Sequence, residues 1–252
     1  MLMLSHASEV SRDELYGVVT PDPTDTWRPV PHIDVVNTLT ERASVRGLVV
    51  TAEKFALLDG VLYGENGIQT RIPGARLFGS LDFAPIPGSM PFPAGCAPSC
   101  GLRNSADKSF ALSILSGARV LVCANGVLSA EHIVTKKHTS RLDLVASIDA
   151  ALDAFMESLR GFNETYEKLR AWQLRKNTAH SLIVELARAG AFASSDILPV
   201  VQEFENPRHA EFRERNAWNL YQDCTEIMKS QSPSRQVEGF KALNKVLTAA
   251  LN

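Results

Sequence analysis

The chain has 252 residues, 45% of them hydrophobic and 21% charged, with a formal charge of −2. That is the make-up of an ordinary soluble globular protein, long enough to bury a sizeable core. It excludes a protein that coats nucleic acid through diffuse positive charge. No run reaches the roughly 18 apolar residues of a membrane span, and Met1–Ser5 has neither a basic region nor a long apolar core. The expectation is a chain of the reduced cytoplasm, with no membrane association.

The charge is unevenly spread. From Cys100 to Arg141 there are six Lys/Arg and two Asp/Glu, a local +4 that leaves −6 for the rest. Four cysteines are too few for a disulfide scaffold. Cys96 and Cys100 form a weak metal pair because no second pair follows at ligand spacing, so no metal site is expected.

In chain order, Thr20–Pro31 has four prolines in twelve residues and must be extended, with Trp27 pinning it to the core. His32–Arg42 places Val35, Val36 and Leu39 on one side of a helix that Gly47 stops. Phe55–Leu58 and Val61–Tyr63 flank Asp59-Gly60, a hairpin signal. Arg76–Phe83 alternates as a strand, and Ala84–Cys100 gathers five prolines into a loop. Phe110–Cys123 reads as two core strands turning at Ser116-Gly117, with Leu121 and Val122 in a central position. Asn125-Gly126 is a further turn.

Beyond Ser140 the period becomes helical. Val145–Leu159 follows a cap at Thr139 or Ser140. Leu182–Leu186 leads to a stop at Gly190, and Ser195-Asp196 opens a helix that tolerates Pro199 in its first turn. Trp218–Met228 is the next helix, and Ser232-Pro233 starts the last. The predicted fold is α+β. A mostly antiparallel, β-rich half (20–139) carries a helical half (140–252) packed on it, as one domain over 1–252.

The chemically capable residues gather in two groups. Arg103, Asn104, Ser105, Asp107 and Lys108 form the first. Arg offers a fork to phosphate, Lys a point charge, and Asn and Ser hydrogen bonds. Lys136-Lys137-His138-Thr139 is the second, with His138 suited to acid–base work near neutral pH. Taken alone, each also reads as a polar strand end, Asp107 and Asn104 satisfying backbone groups. The two groups are expected to converge. The ligand-binding candidates are Arg103, Asn104, Ser105, Lys108, Lys137 and Thr139; the catalytic candidates are His138 and Asp107. No phosphate-cradling Gly-rich loop, nucleophile elbow, dinucleotide fingerprint or zinc-protease motif is present, and no cofactor is assigned.

These residues carry a resemblance. Thr26-Trp-Arg-Pro-Val-Pro-His32, Leu77-Phe-Gly79, Gly101–Ser109, Gly117–Asn125, Lys137-His-Thr139, Trp218-Asn-Leu-Tyr221 and Thr225-Glu226 resemble the phage/plasmid-like proteins of domain of unknown function 932. Ala106 stands where such proteins usually have His, and Ala124 where they commonly have Asp. The resemblance implies residence on a mobile element in a bacterial host and no settled activity.

Three readings follow. The first is binding of a phosphate-bearing ligand, a nucleotide or single-stranded nucleic acid, in element replication or evasion of host defence. The second is an enzyme of phosphoryl or nucleotide chemistry using His138 or Asp107. The third is a structural role or one with a protein partner, either a second copy of the chain or a host protein.

Overall fold

The computed structural model describes residues 7–64, 67–84, 95–120 and 126–251. Six strands make one antiparallel sheet in sequence order: β1 (Ser8–Val10), β2 (Val50–Tyr63), β3 (Gln69–Phe83), β4 (Cys96–Ser105), β5 (Leu112–Val120) and β6 (Gly126–Lys136). One helix, α1 (His32–Val45), precedes β2, and five follow the sheet: α2 (Leu144–Ala171), α3 (Lys176–Arg188), α4 (Ile197–Glu205), α5 (Ala217–Met228) and α6 (Pro233–Ala250). The architecture is α+β, with the helices after Leu144 in the places their periodicity predicts.

Two apolar clusters hold these layers. Val36 and Leu39 of α1 and Ile148, Leu152 and Phe155 of α2 pack with Leu77, Leu81, Leu102 and Ile114 of the sheet. The second cluster joins α3 to α6 around α5, through Ile183, Leu186, Leu220 and Phe240. Helix α2 has its first half in one cluster and Tyr166 and Leu169 in the other, and it also touches β5 and β6.

The strands differ from the sequence reading in three places, and one helix start differs as well. Asp59-Gly60 is not a turn: β2 runs through it with a register shift between Leu58 and Gly60. Asp59 accepts hydrogen bonds from Gly74 N at 2.9 Å and Arg71 Nη2 at 2.7 Å, so it anchors the neighbouring strand. Gly60 is needed for space, because a Cβ there would lie 2.1 Å from Asp107 Oδ2. Ser116-Gly117 is likewise a mid-strand irregularity of β5, since the register shifts between Leu115 and Ser116 and pairing with β6 continues beyond it. Cys96–Ser105, read as loop and polar cluster, is strand β4 between β3 and β5. Finally, Asp143 rather than Thr139 or Ser140 caps α2, accepting from Ala146 N at 2.9 Å. Leu121, Val122 and Asn125 lie outside the described residues.

Candidate functional site

The sheet topology brings the two polar groups to one end. Arg103 pairs with Ser113 across β4 and β5, Ser113 with Thr135, and Leu112 with Lys136 across β5 and β6. The 106–110 turn and the segment leaving β6 are therefore neighbours. The proline-rich strap joins them: Arg28 N donates to His138 O at 3.2 Å, and Asn104 Nδ2 donates to Val30 O at 2.8 Å. The stretches singled out in the sequence converge in space. They differ in how their side chains are engaged.

The first group is mostly structural. Asp107 accepts from Arg76 Nε at 2.7 Å through Oδ2 and from Ser109 N at 3.0 Å through Oδ1, and its side chain is fully buried. Ser105 Oγ donates to Phe110 O at 2.7 Å and accepts from Phe110 N at 3.2 Å, closing the turn. Asn104 Nδ2 also donates to His32 Nδ1 at 2.8 Å, while His32 Nε2 bonds Gly74 O at 3.0 Å. A carbonyl can only accept, so Nε2 carries the proton and His32 is neutral. Burial drives its pKa down to about 4, and neighbouring His138 pushes the same way against the Gly74 and Ala75 backbone bonds and Asp107.

Arg103 and Lys108 remain accessible. The Arg103 guanidinium lies 5.2 Å from the centroid of Phe110 and donates to Ser113 Oγ at 3.3 Å. Burial lowers its pKa, opposed by the charge of Glu238. Lys108 has a left-handed backbone, φ 65°, and sets its ammonium 4.8 Å from the Trp27 ring centroid. A non-glycine residue in that region carries strain that the turn must hold. The bonds of Asp107 and Ser105 do so.

The second group divides by residue. His138 is buried at 5% exposure, and neither ring nitrogen has a hydrogen-bond partner among the described residues. Burial lowers its pKa, because the charged form loses its water there. Lys137 and Thr139 on either side of it open onto a hollow of about 340 Å³ with Lys136, Arg141, Asp143 and Ser147. Among the described residues, no carboxylate pairs with Lys136, Lys137 or Arg141. The hollow also abuts the first turn of α2, whose N-terminal backbone adds positive potential. Sequence reasoning placed Lys136 in the second group but not among the ligand-binding candidates, and it did not single out Arg141; three cations within six positions was the signal available for both.

Residues 64–251 match the family model described as Domain of unknown function (DUF932). The chain belongs to this family. No curated protein and no solved structure matches it. The DUF932 match takes in β3 to α6, and so both polar groups and the hollow, while the strap with Trp27 and His32 precedes it.

The buried His32 predicts acid lability. It is neutral when folded, with a pKa below that of the unfolded chain, so stability is present above pH 6.5 and lost as pH falls towards 4. A shift of that size corresponds to roughly 3 kcal/mol. Equilibrium unfolding at pH 7 and pH 4.5 should show the loss, and His32→Gln should reduce the difference.

Proposed function

We propose that this DUF932 protein binds a phosphate-bearing ligand, a nucleotide or single-stranded nucleic acid, in the hollow between the end of β6 and the start of α2. The supporting observation is the set Lys136, Lys137 and Arg141, three cations against the one carboxylate of Asp143 in a concave surface. Thr139 and Ser147 add hydroxyls to the same wall. Arg103 and Lys108 lie at the same end of the sheet and extend the positive field towards a longer ligand.

This reading relocates the binding group. Asn104 and Ser105 act behind it as framework, and Asp107 is engaged by Arg76 and Ser109. The phage/plasmid-like character of the resemblance suggests work in element replication or evasion of host defence, in the cytoplasm of the bacterial host.

Salt dependence tests it. Affinity for a short oligonucleotide should fall with salt along a log–log slope of about −2 to −4, since few phosphates are neutralised. Lys137→Ala should weaken binding and flatten the slope by about one unit. Lys241→Ala, on α6 and paired with Glu238 at 3.0 Å, should do neither. Equal effects from both substitutions would reduce the interaction to diffuse charge attraction.

A further inference from the structure

A second cleft lies in the helical half, and the phosphate reading does not use it. About 290 Å³ in volume, it sits where the end of α2, the Ala210–Phe212 turn and the start of α5 meet β4. Its apolar wall is Tyr166, Phe212 and Trp218, each more than nine-tenths buried. Tyr166 and Trp218 meet edge to face with centroids 4.8 Å apart, so the wall is rigid. Glu211, Glu214 and Arg170 are the charged residues of the lining, two carboxylates against one guanidinium. Arg170 Nη1 leans back to Tyr166 Oη at 3.4 Å.

Glu214 is held in place from behind. Asn216 Nδ2 donates to its carboxylate at 3.2 Å, and Asn219 Nδ2 donates to its backbone carbonyl at 2.6 Å. Both asparagines are buried. The loop carrying them is tied to the end of α2 by Leu174 N to Arg215 O at 2.7 Å and Ala217 N to Trp172 O at 2.9 Å. Glu214 itself is exposed, so its carboxylate is open to a ligand while Asn216 sets its position from behind. Here a fixed carboxylate faces an aromatic wall in a space the size of one side chain.

The geometry points to a binding site for an organic cation, a guanidinium or alkylammonium head on a short apolar stem. The stem would lie against Tyr166, Phe212 and Trp218, and the head would meet Glu214 and Glu211. The apolar wall suits the stem, and the net negative charge of the lining favours a cationic head over its neutral isostere. A phosphate or carboxylate ligand would instead face two like charges.

The test uses the whole chain and capped amino acids. Nα-acetyl-arginine methylamide should produce saturable shifts in the side-chain amide resonances of Asn216 and Asn219. The citrulline analogue, its neutral isostere, should bind at least tenfold more weakly. Glu214→Gln, and separately Glu211→Gln at the exposed rim, should each weaken the arginine probe about tenfold, while Glu41→Gln on α1 leaves it unchanged. Free agmatine binding more tightly than capped arginine would support the site with a small amine as its source; the reverse order would support it with a peptide side chain. Absence of saturable shifts, equal binding of citrulline, or full binding by both folded Glu→Gln variants would overturn the proposal.

Discussion

Asp223→Asn should be more stable than the wild type above pH 8, by an amount on the order of 5 kcal/mol. Asp223 is 1% exposed on α5, and neither carboxyl oxygen has a hydrogen-bond partner among the described residues. Burial, reinforced by the charges of Glu203 and Glu226, pushes its pKa up to about 8. The folded chain therefore keeps a proton that the unfolded chain releases near pH 4. Between those values stability falls as pH rises, and the loss is complete above pH 8. Asparagine removes the ionisation without changing the shape. Denaturant unfolding from pH 5 to 9 should give a declining wild-type curve and a flatter Asp223→Asn curve. Parallel curves would show that Asp223 is paired in solution.

Asp107→Ala should destabilise the fold by roughly 2–3 kcal/mol, less than breaking a fully buried pair would cost, because the Arg76 side chain is 32% exposed and can regain water. Arg76 would lose its only described carboxylate, the Ser109 amide its acceptor, and the strained Lys108 turn its closure. Lys137→Ala should leave the melting temperature nearly unchanged, because Lys137 is exposed and makes no ion pair among the described residues. The contrast separates framework from binding surface within one sequence cluster. Were Asp107→Ala fully stable, the carboxylate would return as a functional candidate.

The helices were legible because each buries one face and leaves the other in water, so the 3.6-residue period survives in the sequence. Helix α5 was legible as well, over Trp218–Met228, although it is buried from Ala217 to Thr225 on all sides and Asn219, Gln222 and Asp223 overlie its apolar period. Strand β4 was illegible. Its residues are buried on both faces, which removes the alternation. Pro98 also stands within it, opposite Ala118, where a proline normally argues against a central strand.

Asp59-Gly60 misled in another way. The pair has the chemistry of a turn, but long-range demands, the anchoring of Gly74 and room for Asp107, determine its use. The two polar groups were found because charged and hydrogen-bonding residues between apolar runs stand out in any sequence. Their division into buried framework and exposed surface depended on pairings across tens of residues. Asp107 with Arg76 and Asn104 with His32 leave no local trace.

Chemical-shift mapping during titration with a 5′-phosphorylated thymidine dinucleotide tests the phosphate site most directly. The account predicts saturable shifts at Lys136, Lys137, Thr139, Arg141, Ala146 and Ser147, with Glu211 and Glu214 silent. Saturable binding whose shifts avoid the β6–α2 hollow would contradict it, as would the absence of any shift at concentrations where binding is measured by other means.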